Sequence, residues 1–243
     1  MSLITLLTDF GDFYPGVMKG VILRINPDAR IIDLSHSVSP QNVKEGAFLL
    51  LSAVPYFPEG TIHVAVVDPT VGTERKAILI EAGGQILIGP DNGLLIPAAR
   101  RLGDFRVYEI FIEPESKTFH GRDVFAVAAG MISAGKEIEM RGLRDFVNLD
   151  FLRREEEGKI ICEVLHVDRF GNVITSLQEL QSDELILKGV RLRKGETYAD
   201  VPEGEPLILR GSSGFFEIAV RNGNASKMFS LKPGDILELE KVL

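Results

Sequence analysis

The chain reads as α/β: an N-terminal domain with a mixed, largely parallel sheet, then a smaller β-rich domain at the C-terminus. Three observations carry that reading. From Leu3 to about Gly135, short β-branched or leucine runs alternate with longer helical patterns, the sequence form of βαβ units. After the charged stretch Arg153-Arg154-Glu155-Glu156-Glu157-Gly158, only short strand candidates at close spacing follow. With 243 residues, 45% of them hydrophobic, the chain is long enough and apolar enough to bury two cores, which excludes disorder as its dominant state.

In order along the N-terminal part, the expected strands are Leu3–Thr8, Arg30–Leu34, Ile62–Val67, Ala77–Glu81, Gln85–Ile88 and Val107–Ile112. Helical apolar spacing marks Pro15–Ile25, Gln41–Val54, Asn92–Leu102 and Gly121–Ala134, with Ser39-Pro40 as the N-cap and first-turn signal of the second helix. Gly83-Gly84 between two apolar runs signals a hairpin, which makes the sheet mixed. The run 153–158 reads as a solvated connection and sets the expected domains at 1–152 and 153–243. Beyond it, the strand candidates are Lys159–Val167, Val173–Ser176, Leu185–Leu187, Leu207–Arg210, Phe215–Val220 and Ile236–Leu239. Turns at Lys194-Gly195, Glu203-Gly204 and Pro233-Gly234 complete the pattern of a small barrel or sandwich.

Composition narrows the function classes. The 27 Lys+Arg against 35 Asp+Glu leave a net charge of -8, which disfavours a broad nucleic-acid footprint and leaves room only for a local anion pocket. Cys162 is the single cysteine, so neither an intrachain disulfide nor a cysteine-built zinc or iron–sulfur site is available. The four histidines are scattered, and no metal site is indicated. Thr8-Asp9 follows the first apolar run without a basic start, and no apolar run approaches the ~18 residues of a membrane span. The expectation is a cytoplasmic protein with a small-molecule ligand, no membrane partner and no cofactor.

Polar residues just after buried strands matter most, because ligands in open α/β sheets sit beyond the carboxyl ends of the strands. Asp9, in Thr8-Asp9-Phe10-Gly11-Asp12, is placed to accept hydrogen bonds from a ribose diol, or else Asp9 or Asp12 caps the next helix. Asp68 ends a strand run and Arg75 returns seven positions later, an arrangement that suits either a held water or anion or a plain salt bridge. His120, in Phe119-His120-Gly121-Arg122-Asp123, precedes a helix whose dipole favours the neutral imidazole; it reads as a proton or hydrogen-bond acceptor, or as a cap. His36 reads as a loop or core residue, and His63 and His166 as structural. In the β-rich part, Asp168-Arg169-Phe170-Gly171-Asn172 offers an aromatic for stacking and an amide for a heterocycle edge, or is an ordinary turn. The stretch from Arg210-Gly211-Ser212-Ser213-Gly214 to Arg221-Asn222-Gly223 is an anion-cradling loop or a surface hairpin. Neither the Gly-x4-Gly-Lys-Ser/Thr nor the Gly-x-Gly-x-x-Gly spacing occurs, which weighs against nucleoside triphosphate and dinucleotide chemistry.

Taken together, Thr8-Asp9-Phe10-Gly11, Val67-Asp68-Pro69-Thr70-Val71-Gly72, Arg75, Pro90-Asp91-Asn92-Gly93, Phe119-His120-Gly121-Arg122-Asp123, Asp168-Arg169-Phe170-Gly171-Asn172 and Ser212-Ser213-Gly214 through Arg221-Asn222-Gly223 resemble one family along residues 3–240. It is the S-adenosylmethionine hydrolase (hydroxide adenosyltransferase) family, related to fluorinating and chlorinating enzymes. The resemblance implies a C-terminal β-barrel and a homotrimer with substrate bound between neighbouring subunits. It also implies attack of water on the 5′ carbon of S-adenosylmethionine, giving adenosine and L-methionine without a cofactor. By the same resemblance Asp68, Arg75 and His120 handle the water and Asp9 binds the ribose hydroxyls. Asp168 holds the methionine amino group, Phe170 and Asn172 line the adenine site, and Ser213 with Arg221 contacts the methionine carboxylate or nearby backbone. The halogenating relatives carry Tyr at the Asp68 position, Thr at Val71 and an inserted loop absent between Asn92 and His120. Those departures favour water over halide. A Trp lining the halogenase pocket corresponds to about Gln41, a difference confined to the wall near residues 39–43. The alternatives are an adenosyl halide synthase and a non-catalytic adenosine or S-adenosylmethionine binder.

Overall fold

The computed structural model describes residues 2–242 and divides the chain into two compact units, meeting in sequence at Leu149 and Asp150. In the first unit, strands β1 (Leu3–Thr8), β2 (Arg30–Ser35), β3 (Ile62–Val66), β4 (Ala77–Ala82), β5 (Gln85–Pro90), β6 (Phe105–Ile110) and β7 (Met140–Gly142) form one sheet in the order β2-β1-β3-β5-β4-β6-β7. Pairings β1–β2, β1–β3 and β3–β5 are parallel, while β4 and β7 run antiparallel to their neighbours. The Gly83-Gly84 hairpin between β4 and β5 is the source of that mixture, since two residues can join only antiparallel strands.

Four helices accompany the sheet: α1 (Phe13–Ile25), α2 (Val43–Ala53), α3 (Ile96–Leu102) and α4 (Ala126–Ser133). Because side chains alternate along a strand, Ile4, Leu6, Ile62, Val64 and Val66 face one side of the sheet, where they pack with Met18 and Ile22 of α1 and with the alanines of α4. Gly130 lets α4 approach α1 closely, because a Cβ there would stand 3.1 Å from Ile25. On the other face, Gly46 of α2 leaves room for Val67 and Leu94. The expected cap at Ser39-Pro40 is corrected. Gln41 takes a positive φ of 65° and breaks the chain direction, and the Asn42 side chain caps α2 by accepting from the Glu45 N–H at 3.1 Å. The helix expected at Gly121–Ala134 opens with one π-turn, Gly121–Phe125, before α4.

His63 is structural, as read from sequence. It is fully buried in β3, with Nδ1 2.7 Å from Thr5 Oγ1 and Nε2 2.7 Å from Gln85 Oε1. The Gln85 amide in turn donates to the carbonyls of Val54 and Phe57, so a polar ladder ties β1, β3 and β5 to the segment after α2. Burial without a charged partner pushes the His63 pKa down to about 4.

The second unit contains β8 (Arg153–Glu156), β9 (Lys159–Val167), β10 (Val173–Thr175), β11 (Glu184–Leu187), β12 (Val190–Gly195), β13 (Pro206–Arg210), β14 (Phe216–Val220) and β15 (Ile236–Lys241), plus a short helix α5 (Ala225–Phe229). The order β10-β14-β13-β12-β11-β15-β9 closes through β9–β10 into a seven-stranded barrel. Its interior is filled by Cys162, Val173, Leu185, Leu192, Ile208, Ile218 and Leu237, among others. The charged run at 153–158, expected as a solvated connection, is a correction: Arg153–Glu156 pairs with β9 as a strand whose side chains are mostly exposed. Exposure along this edge strand lets its charged residues keep their hydration while their backbone completes the ladder.

Candidate active site

Parallel pairing of β1 with β3, register Thr8 opposite Val66, brings Asp9 and Asp68 out at the same edge of the first unit's sheet. Because β4 is antiparallel to β5, with Ala77 opposite Pro90, the residues just before β4 start at that edge too. Arg75 therefore meets Asp68 across the turn. Its Nε and a terminal nitrogen donate to Asp68 Oδ2 at 2.9 and 2.5 Å, with side chains only 7% and 4% exposed. The turn is fixed internally: Thr70 donates to Asp68 Oδ1 through its N–H (3.2 Å) and its hydroxyl (3.1 Å). Gly72, at φ 81°, lies where a Cβ would stand 3.0 Å from the Lys117 carbonyl, so only glycine lets this turn press against the segment leading to His120.

That approach places His120. A terminal nitrogen of Arg75 donates to His120 Nδ1 at 2.8 Å, while the guanidinium sits 5.2 Å from the centre of the buried Phe125 ring. Arginine has no acceptor, so Nδ1 must be the unprotonated nitrogen and Nε2 carries the hydrogen. Partial burial, and then the Arg75 charge, lower the His120 pKa from its ordinary value, which keeps the ring neutral at pH 7. Asp68 and His120 line a cavity of about 420 Å³ together with Phe10, Tyr14, Phe119 and Arg122. The rings of Phe10, Tyr14 and Phe119 meet edge-on at 5.2–6.3 Å and give this cavity an apolar wall.

Asp9 does not line that cavity. Its Oδ2 accepts the Gln41 N–H at 2.8 Å, and Asp12, at the N-cap position of α1, makes no side-chain capping bond. A wider hollow of about 640 Å³ at the Gly83-Gly84 hairpin holds none of the candidate residues.

In the second unit, Asp168, Phe170, Asn172 and Arg221 line one cavity of about 630 Å³. The turn 168–172 is ordered by Asp168 itself, whose Oδ1 accepts from the Phe170 and Asn172 N–H groups and whose Oδ2 accepts from the Asn172 amide. Phe170 is left 76% exposed. Arg221 donates to the carbonyls of Ala199 and Val201 and so holds backbone. Ser213 lies in the β13–β14 turn and does not line the cavity. Two residues escaped sequence reasoning here: Tyr198, on the cavity wall, and buried Glu217, whose carboxylate accepts the Tyr198 hydroxyl. Burial raises the pKa of both. The Thr197-x-x-Asp200 capping box announces the turn under Tyr198, but no local pattern announces a partner 19 residues away.

Comparison with known proteins agrees over nearly the whole chain. A protein of Methanocaldococcus jannaschii named (R)-S-adenosyl-L-methionine hydrolase is 41% identical, covering 98% of this chain and 96% of its own. A fluorinase of Actinopolyspora mzabensis is 26% identical over 96% and 95% of the two chains. The crystal structure of an uncharacterised conserved protein from Thermotoga maritima superposes with a TM-score of 0.86 at 36% identity, covering 98% of this chain and all of that one. The models of the two domains of one family match residues 4–142 and 162–238, so the chain belongs to the S-adenosylmethionine hydroxide adenosyltransferase family.

Proposed function

We propose that the protein hydrolyses S-adenosylmethionine to adenosine and L-methionine. The observation that carries this is the contact of Asp68, Arg75 and His120 beside a part-apolar cavity at the carboxyl edge of the sheet. The sulfonium is a good leaving group, so the enzyme's task is to hold one water in line with C5′ and the departing sulfur. Oxygen bonds to C5′ as the C5′–S bond breaks; methionine leaves as a neutral thioether and one proton is released. The Asp68 carboxylate accepts a hydrogen from the water. With Nδ1 engaged by Arg75, His120 donates from Nε2 and orients the water oxygen rather than removing its proton. Arg75 fixes both partners and favours the developing hydroxide.

In the same reading Asp9 takes the ribose diol, using the carboxylate oxygen that Gln41 leaves free. Asp168, Phe170, Asn172, Ser213 and Arg221 serve the methionine and adenine ends, Arg221 by holding the 199–201 backbone. The active form is a cytoplasmic homotrimer that needs no cofactor and binds substrate between neighbouring subunits. Relatives are named for the R form of the substrate, and the R sulfonium epimer is the preferred substrate proposed here.

The test is mass detection of products after incubation with each sulfonium epimer in water enriched in heavy oxygen, with and without chloride. Adenosine carrying the heavy oxygen beside unlabelled methionine is the expected result. A chlorinated nucleoside, or bound but unchanged substrate, overturns the proposal.

A further inference from the structure

The first two strands end in a set of polar contacts that the proposed chemistry does not use. Thr8, the last residue of β1, is fully buried, and its Oγ1 lies 2.9 Å from His36 Nδ1. The His36 Nε2 is also buried; it stands 3.0 Å from Asp33 Oδ1 but lacks the alignment of a hydrogen bond. The other oxygen of Asp33 is 2.5 Å from Lys19 Nζ on α1. A buried hydroxyl costs stability unless it is bonded, and valine has the same shape, so a threonine here calls for a reason.

The reason lies in what these groups hold. Thr8 Oγ1 accepts the Phe10 N–H at 3.3 Å, and the His36 carbonyl accepts the Gly11 N–H at 3.0 Å. One residue thus grips the Asp9 turn from both sides, by its ring through Thr8 and by its main chain through Gly11. A register shift between Leu6 and Leu7 in the β1–β2 pairing sets Leu7 opposite Ser35 and brings His36 level with that turn.

We infer that His36 is a positioning residue for the ribose of the substrate, acting through Thr8 and backed by Asp33 and Lys19. The inference rests on Asp9 as the ribose ligand. Its test uses binding, so it does not depend on turnover: isothermal titration calorimetry of adenosine and of 2′,3′-dideoxyadenosine with the full chain. The wild type should prefer adenosine by roughly tenfold or more, the worth of a hydrogen bond to a charged group. His36→Gln and Thr8→Val should cut that ratio several-fold, Asp9→Asn should bring it near one, and Thr8→Ser, which keeps the hydroxyl, should restore it. A merely structural role lowers the melting temperature and weakens both ligands alike, leaving the ratio intact. If only Asp9→Asn loses the preference, His36 does not position and the ribose assignment stands. If Asp9→Asn keeps it, the ribose assignment falls and this inference with it.

Discussion

Arg75 is the residue on which the candidate site turns, because one guanidinium addresses the Asp68 carboxylate twice and the His120 ring once. Lysine has the charge but not the fork, so Arg75→Lys should lower kcat by roughly a hundredfold while adenosine affinity changes less than about threefold. Steady-state kinetics beside calorimetry reads both. The neutral ring of His120 sets a pH limit as well. Its pKa lies below the ordinary 6.5, so protonation, which would put a hydrogen on Nδ1 against Arg75, begins only at lower pH. The acid limb of the kcat/KM profile should therefore fall below pH 6.5, and a profile already declining at pH 7 refutes the assignment. Of these three groups the Asp68–Arg75 pair was legible in sequence, because a separation of only seven positions, from just after one strand to just before the next, leaves few other places for a charge pair. The third member was legible as chemistry but not as geometry: its contact spans 45 residues and depends on Gly72 pressing against Lys117.

Elements of regular structure follow the sequence where hydrophobic period and turn chemistry agree. β1 spans the Leu3–Thr8 run expected of it, and β3, β4 and β5 begin where their apolar runs begin. Departures have local causes. β12 (Val190–Gly195) intersperses Arg and Lys with one Val and one Leu on a barrel wall, so its two apolar side chains do not stand out, and all four residues of β8 are charged. The π-turn before α4 adds a residue to one turn and carries no compositional sign. The polar ladder through β3 makes a prediction of its own. His63 is neutral when folded, with a pKa near 4, and takes up a proton near 6.5 when unfolded. Its contribution to stability is whole above pH 6.5 and is lost as pH falls through about 4, a change of about 3 kcal/mol at most. In His63→Gln, which keeps an amide able to bond in the ladder, the fall in melting temperature between pH 7 and pH 4.5 should be clearly smaller than in the wild type; equal slopes would assign the acid sensitivity elsewhere.

At the level of the whole molecule, the net charge of -8 acts on a substrate that carries a sulfonium, an ammonium and one carboxylate, and is therefore a net cation. Long-range attraction should raise capture, so kcat/KM should fall about twofold or more between low and physiological salt while kcat stays level. A neutral ligand such as adenosine should show no such trend, which separates steering from a general salt effect. The family was legible in the sequence as the order of short motifs along residues 3–240, since no single one of them is distinctive. Closure of the barrel was expected from the resemblance but not from the strand pattern, which suits a sandwich equally well, because closure rests on three residues of β10 meeting the far end of β9. The turn that joins those two strands is 168–172, with the Asp168 N–H bonded to the Asn172 carbonyl at its base. The loop proposed to read the ligand is thus also the hairpin that seals the barrel. Variation there is taxed twice: a substitution that retunes substrate preference must still leave a seam that closes, and so drift in selectivity should be confined to Arg169 and Phe170, whose side chains point to solvent and bear none of the closure.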